Sequence, residues 1–367
     1  MEEKGIRVLL IKYAEGKCTE EEKALVESAY LFENARHTDE LSKEDISGDL
    51  AAIFNELPRE SQKRQMWPKL VAAACIILAL SAMFYVFKKS GTEIKKPANY
   101  TNAILPGKNT AALTLASGEI IQLSGAKKGI VIQATQIAYE DGTPVRGNIG
   151  SGYETISTPN GGQYQIVLSD GSRIMINAAT SLKFLPNFHG LATRTVELKG
   201  EAYFEVTRDK LHPFLVTGGD QTVEVLGTHF NITNYSDGHG IKTTLLEGAV
   251  KVSSLKTGVT RQLNPGQQAS FSGNGINVKD VDVDDAVAWK NGYFMFNYET
   301  LEEVMIKISR WYDIEVRYED PAIKSIVFFG TISKFESISK VLNMLERTKK
   351  VKFLIDGRVI KIKSYTN

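Results

Sequence analysis

A run of eighteen residues without a charged side chain, residues 70–87, constrains this chain more than any other feature. Leu70 begins the run and Phe87 ends it. As a helix rising about 1.5 Å per residue it would extend roughly 27 Å, close to the hydrocarbon core of a bilayer. A buried core helix is the alternative, but such a helix is rarely apolar on every face over this length. The run therefore predicts one transmembrane helix, within residues 67–88.

The charge differs between the two sides of this predicted span. Residues 1–65 contain 15 acidic and 10 basic side chains, whereas residues 88–367 contain 28 acidic and 33 basic ones. An acidic N-terminal segment would repel phosphate, so it favours a basic protein partner over direct contact with nucleic acid. Four Lys or Arg residues lie near each end of the run, so the positive-inside rule does not orient it. Two cysteines, Cys18 and Cys75, do not suggest a disulfide framework.

The N-terminal segment, residues 1–66, has the pattern of three short helices. Thr19 followed by Glu22 forms a capping-box pattern at the second, and Pro58 ends the third. Three short helices bury little surface, so they either form a self-contained mini-bundle or complete their core on a partner. The positions that the helical spacing places on apolar faces include Ile6, Leu10, Tyr13, Leu25 and Phe32.

After a polar linker at residues 89–104, the apolar residues alternate with period two. Short strands are separated by turn dipeptides such as Ser117-Gly118, Asp170-Gly171 and Glu247-Gly248, each of which predicts a hairpin. Residues 194–198 and 202–206 have the pattern of two separate strands. The pattern predicts an all-β domain over residues 105–280, built as a sandwich, a jelly roll or a short solenoid.

A different pattern follows over residues 288–365. Thr300 and Glu303 form a capping box before a helix, and Asp356-Gly357 predicts a closing hairpin. The order of elements, β-α-β-β-α-β-β, predicts a small α+β domain. The whole chain is thus predicted to be a multidomain membrane protein with an all-α, an all-β and an α+β part.

No constellation in the sequence predicts an enzyme, a cofactor site or a metal site, because the five histidines lack metal-ligand spacing and no HExxH or CxxC occurs. One dipeptide, Gly227-Thr228, carries a sharper hypothesis. In a strained turn the Thr228 hydroxyl could attack the Gly227 carbonyl and break the chain. The alternative is a glycine that supplies a turn or bulge between two strands.

Several blocks resemble a known family. Residues 158–184 (TPNGGQYQIVLSDGSRIMINAATSLKF), 196–206 (VELKGEAYFEV), 223–232 (VEVLGTHFNI), 245–252 (LLEGAVKV) and 263–269 (LNPGQQA) look like the periplasmic domain of FecR-type anti-sigma factors. Residues 288–316 resemble the C-terminal domain that accompanies it, which is similar to the short N-terminal (STN) domain of secretins and TonB-dependent transducers. Residues 13–26 are similar to the cytoplasmic segment of this family.

The resemblance implies an inner-membrane protein with a single span, a cytoplasmic N-terminus and a periplasmic C-terminus. It implies that residues 1–66 bind an extracytoplasmic-function (ECF) sigma factor through the apolar positions named above. The periplasmic part would receive a signal from the N-terminal signalling domain of an outer-membrane, TonB-dependent transducer. Some family members cleave themselves at a Gly-Thr pair, and Gly227-Thr228 falls in the matching block.

Two further interpretations concern how a signal would pass and what else the chain could be. Because a single helix transmits conformational change poorly along itself, we expect periplasmic and intramembrane proteases to release the N-terminal segment. The competing function is a receptor or adhesin whose periplasmic β domain binds glycan or peptide.

Overall fold

A computed structural model of the chain describes residues 104–133, 136–145, 150–272 and 275–365. Within these ranges no helix combines the length and the apolar character that crossing a membrane requires. The predictions for the N-terminal helices and for the apolar run at residues 70–87 lie outside the described residues.

The first part of the described chain, the β domain, is built from short strands. Its first nine are β1 (Lys108–Asn109), β2 (Ala112–Thr114), β3 (Ile120–Gln122), β4 (Gly129–Ile132), β5 (Ile137–Tyr139), β6 (Glu154–Thr158), β7 (Gly162–Val167), β8 (Arg173–Ile176) and β9 (Thr180–Phe184). The next nine are β10 (Arg194–Glu205), β11 (Phe214–Gly218), β12 (Gln221–Val225), β13 (His229–Asn234), β14 (Lys242–Glu247), β15 (Val250–Ser254), β16 (Thr260–Leu263), β17 (Gln267–Ser272) and β18 (Gly275–Asp280).

Apart from β1, which pairs with β7 in parallel, these strands form two sheets that share β10. The first sheet runs β3-β2-β6-β9-β10-β11-β12-β15-β16. The second runs β5-β4-β7-β8-β10-β13-β14-β17-β18. One apolar core contains buried side chains from both sheets: Phe204 stacks on Phe230 with ring centroids 4.8 Å apart and meets Phe214 of the first sheet edge-on at 6.4 Å. The β domain is therefore all-β, as predicted, with two sheets packed on one core.

Strand β10 belongs to both sheets because it bends at Gly200. Residues 196–199 pair with β9 in the first sheet, whereas residues 200–205 pair with β13 in the second. The φ angle of Gly200 is +108°, and a Cβ there would lie 2.4 Å from the Thr180 hydroxyl oxygen. The prediction of two separate strands is therefore wrong, since the glycine bends one strand and does not end it.

The predicted turns differ in outcome. Ser117-Gly118 and Asp170-Gly171 connect the antiparallel pairs β2–β3 and β7–β8, which confirms both hairpins. Glu247-Gly248 does not form a hairpin, because β14 pairs with β13 and β17 while β15 pairs with β12 and β16. At this dipeptide the chain crosses from one sheet to the other.

The C-terminal domain follows the short helix α1 (Val283–Val287). Its elements are β19 (Tyr293–Thr300), α2 (Leu301–Tyr312), β20 (Glu315–Tyr318), a 3₁₀ turn (Pro321–Ser325), β21 (Val327–Ser333), α3 (Ile338–Glu346), β22 (Val351–Asp356) and β23 (Val359–Ser364). Apart from the 3₁₀ turn, this order matches the predicted β-α-β-β-α-β-β. β19 pairs with β21, and a second sheet has the order β20-β23-β22.

Helix α2 begins at the predicted capping box. The Thr300 hydroxyl accepts from the Glu303 amide, and the Glu303 carboxylate accepts from the Thr300 amide. Its apolar face is buried in a core shared with α3 and both small sheets. The periodic spacing therefore identified both the helix and the face that it buries.

Candidate functional site

Of the residues predicted to carry function, the structure describes Gly227 and Thr228. The predicted contacts with a sigma factor (Ile6, Leu10, Tyr13, Leu25, Phe32) and the ends of the predicted span (Leu70, Phe87) lie outside the described residues. No group of three or more His, Cys, Asp or Glu side chains in the described ranges is arranged to hold a metal ion.

Gly227 and Thr228 lie between β12 and β13, where backbone from two other segments approaches closely. Gly227 has a φ of +152°, and a Cβ there would lie 2.7 Å from the Arg208 Cα. On the other side, a Cβ on Gly248 would lie 2.9 Å from the Thr228 hydroxyl oxygen. Both positions therefore require glycine, because any larger residue would push the neighbouring chain away. The dipeptide borders an open groove of about 640 Å³.

The Thr228 hydroxyl is oriented by the structure. The residue is 4% exposed, and its Oγ1 donates to the Ala249 carbonyl oxygen at 3.0 Å. A carbonyl accepts a hydrogen bond but is too weak a base to remove the proton. The neighbouring His229 ring is turned to Glu247, with 3.2 Å between its Nδ1 and the carboxylate. Among the described residues, the Thr228 hydroxyl is thus a nucleophile beside the Gly227 carbonyl. Its hydrogen-bond partner, the Ala249 carbonyl, orients it but cannot act as a base.

Asp209, on the adjoining segment, is a poor base as well. The Asp209 amide donates to the Leu226 carbonyl oxygen at 2.8 Å, which ties this segment to the residue before the dipeptide. A hydrogen bond from the His212 ring lowers the pKa of Asp209 to about 2, with further bonds from backbone amides. The carboxylate is therefore held ionised, and an anion so stabilised has little tendency to take up a proton.

A second candidate surface lies on the C-terminal domain. Tyr298 and Phe329 are each 73% exposed, and their ring centroids are 5.1 Å apart. Tyr298 has a φ of +56° at the irregularity where the β19–β21 register shifts. With the 40% exposed Val327, these two rings form what we call the aromatic patch. Adjacent exposed aromatic side chains are common at protein-binding surfaces.

The aromatic patch lies on a two-stranded sheet. β19 and β21 pair only with each other in the described part of the chain. An unpaired edge presents backbone donors and acceptors that a strand from another protein can use. Sequence reasoning identified both strands but not the patch. The sequence feature that could have revealed the patch is Phe328-Phe329. Successive side chains of a strand point to opposite faces, so burial of the Phe328 ring leaves the Phe329 ring exposed.

Comparison with known proteins agrees with these domains. Residues 154–251 match the family model described as FecR protein, and residues 293–362 match the model described as FecR, C-terminal. The chain therefore contains a pair of FecR-like domains. The FecR match lies in the β domain, and the FecR C-terminal match lies in the α+β domain.

Solved structures also resemble this chain. Two crystal structures of a "putative anti-sigma factor" from Parabacteroides distasonis each have a TM-score of 0.54 and 26% sequence identity to it. Each similarity covers 58% of this chain, and it covers 99% and 100% of the two crystallised chains. A comparison with curated proteins gives no significant match.

Proposed function

We propose that this chain is a single-span anti-sigma regulator of the inner membrane. Residues 1–66 bind an ECF sigma factor in the cytoplasm, and the FecR and FecR C-terminal domains lie in the periplasm. The observation that carries the proposal is the order of parts in the sequence: an acidic segment with a helical pattern, an apolar run long enough to span a bilayer, and then the two FecR-like domains. The likeness to a protein described as an anti-sigma factor supports the same function.

The partner on the outer side is the N-terminal signalling domain of a TonB-dependent transducer, which docks on the C-terminal domain. The aromatic patch and the unpaired edges of β19 and β21 support this part of the proposal, because strand addition needs a free edge and side-chain pockets or rings beside it. Proteolysis in the periplasm and then within the membrane frees the segment that holds the sigma factor.

Gly227-Thr228 is the proposed site of a single self-cleavage, which would make the chain its own substrate and not an enzyme with turnover. The Thr228 oxygen attacks the Gly227 carbonyl carbon, the C–N bond breaks, and the hydroxyl proton moves to the released amine. Water then hydrolyses the ester, giving a Gly227 carboxylate and a new N-terminus at Thr228. The close packing of the dipeptide and the fixed hydroxyl support this step.

Capture of the full-length chain from its own cells tests the regulator. We expect a sigma factor to co-purify, and we expect Leu10→Asp or Phe32→Asp to abolish its recovery because each places a charge on a predicted apolar face. Lys12→Gln, on the same predicted helix as Leu10, is the matched control and should retain the partner. Recovery of no sigma factor by the unaltered chain would contradict the proposal and favour the receptor or adhesin.

A further inference from the structure

A buried lysine joins the β domain to the C-terminal domain. Lys334, directly after β21, is 1% exposed. Its Nζ donates to the side-chain oxygen of Gln163 on β7 at 2.9 Å and to the carbonyl oxygen of Trp289 at 3.0 Å. The same Nζ lies 3.6 Å from the ring centroid of Trp311 on α2. One amino group therefore contacts the β domain, the connection after α1, and the C-terminal domain.

Other contacts close the same junction. The Gly161 amide donates to the Arg310 carbonyl oxygen at 2.7 Å, and a Cβ on Gly107 would lie 2.7 Å from the Trp311 ring. The Trp289 indole donates to the side-chain oxygen of Asn231 at 3.2 Å. We call this junction, formed around Gln163, Trp289, Arg310, Trp311 and Lys334, the joint.

In the part of the chain that the structure describes, no carboxylate is positioned to compensate a charge on Lys334 directly. Among the described residues, none of its hydrogen-bond acceptors is an anion. Lys334 borders a cavity of about 70 Å³ whose other charged or titratable lining groups are Glu201, Tyr235, Asp285, Tyr293, Lys307 and Arg310. Glu201 is the acid whose charge acts on Lys334, and its carboxylate already accepts hydrogen bonds from Asn177, Asn231 and Thr233.

The remaining lining groups do not favour a buried cation more strongly. Lys307 and Arg310 are themselves cations, paired with Glu299 and Asp237 respectively. Burial raises the pKa of Tyr235, so this phenol stays neutral. The Trp311 and Trp289 rings, whose centroids lie 3.6 Å and 5.8 Å from the Nζ, attract an ammonium, but complete burial of a lysine outweighs this attraction.

The pKa of Lys334 reflects this balance. Burial lowers it from 10.5 to about 7, and the negative charge of Glu201 opposes the shift without cancelling it. A lysine that reaches water when the joint opens regains its ordinary affinity for a proton. The open joint therefore binds more protons than the closed joint between about pH 7 and 10.5.

We propose that Lys334 makes the joint a proton-sensitive hinge, in which a proton on its buried Nζ loosens the contact between the β domain and the C-terminal domain. The basis is geometric: a fully enclosed amino group of the C-terminal domain donates to uncharged oxygens on the β domain and on the connection after α1. The inference depends on the fold alone and stands or falls independently of the proposed function.

Hydrogen exchange of the full-length chain tests the hinge through the Gly161 amide, whose bond to Arg310 crosses the joint. Exchange is expressed as a protection factor, the intrinsic rate at each pH divided by the observed rate, which removes the pH dependence of the exchange chemistry. Amides of the β22–β23 hairpin, which lies within the C-terminal domain, are the internal reference. Relative to this reference, we expect protection to fall by about tenfold per pH unit from pH 9 to 7.5, and to level off below pH 7. Lys334→Met should abolish this slope.

Lys290→Met is the matched control, because Lys290 also lies at the junction, with its Nζ 4.5 Å from the Tyr203 ring centroid, but is only half-buried. It should leave the slope in place. A slope retained in Lys334→Met, or no slope in the unaltered chain between pH 7 and 9, would overturn the proposal. If Lys334→Met does not fold, the profile of the unaltered chain decides alone.

Tryptophan fluorescence gives a second measurement. The chain has three tryptophans, and in a Trp67→Phe background the two that remain, Trp289 and Trp311, both contact Lys334. We expect an emission transition with a midpoint near pH 7 that disappears when Lys334→Met is added. A midpoint near 10.5 would show that Lys334 titrates as an exposed lysine and would refute the hinge.

Discussion

The bend of β10 at Gly200 can be tested by a single methyl group. In Gly200→Ala the new Cβ would lie 2.4 Å from the Thr180 hydroxyl oxygen and 2.7 Å from the Thr180 Cα. A methyl group so close to backbone cannot be accommodated by a side-chain rotation alone. The Thr180 hydroxyl must also move, which disturbs the hydrogen bond that it accepts from the Glu201 amide at 3.0 Å.

The cost has three parts. A non-glycine residue at a φ of +108° costs about 1–2 kcal/mol, overpacking costs about 1–3 kcal/mol, and loss of one hydrogen bond costs about 1 kcal/mol. Together they lower the free energy of unfolding of the β domain by about 4 kcal/mol. For a domain of this size, about 2–4 °C per kcal/mol predicts a fall of roughly 10 °C in its melting temperature.

Gly118→Ala separates strain from crowding. Gly118 has a φ of +87°, but a Cβ there would have no atom within 4 Å. We expect only the backbone strain, about 1 kcal/mol, and a fall of roughly 3 °C. Scanning calorimetry of both full-length variants measures the difference. If the two variants melt within about 2 °C of each other, the close approach of Gly200 to Thr180 does not determine the stability of the bend.

Two predictions concern the proposed functional surfaces. Intact-mass spectrometry of the expressed chain should give two fragments that meet at Gly227-Thr228, and Thr228→Ala should give one species; a single species from the unaltered chain would rule out self-cleavage. Phe329→Ser should weaken binding of the transducer's signalling domain by about tenfold or more, because a central aromatic contact is lost, without lowering the melting temperature. Leu354→Ser is the control, because it also replaces an exposed apolar side chain with serine, at a 55% exposed position on β22. Equal effects of the two substitutions on binding would refute docking at the aromatic patch.

Patterns within short stretches of sequence predicted the helices and strands better than they predicted which strands pair with each other. Helix α2 followed from its period and from the Thr300 capping box, both of which involve residues within one or two turns. Glu247-Gly248 shows the limit, since a turn dipeptide specifies a change of direction but not the sheet that receives the next strand. Likewise Gly200 resembles a strand terminator in sequence, and only its contact with Thr180 shows that the strand continues through it.

The candidate sites depend on sequence separation in the same way. Gly227-Thr228 was recognisable because its two reacting groups are adjacent, whereas the acceptor of its hydroxyl is a carbonyl 21 residues later. The aromatic patch needed the β19–β21 register, which brings Tyr298 next to Phe329. Neither long-range contact can be read from spacing within one element.

Lys334 is the strongest case, because in sequence it is a lysine in a polar turn after a strand and predicts exposure. It is buried only because Gln163 and Trp289, 171 and 45 residues earlier, bring their oxygens to its amino group. The FecR and FecR C-terminal matches end at residue 251 and begin at residue 293, so Trp289 lies between them. The two family matches therefore describe the two domains but not the contacts that join them, and the behaviour of the joint has to be derived from the contacts of this chain's own residues.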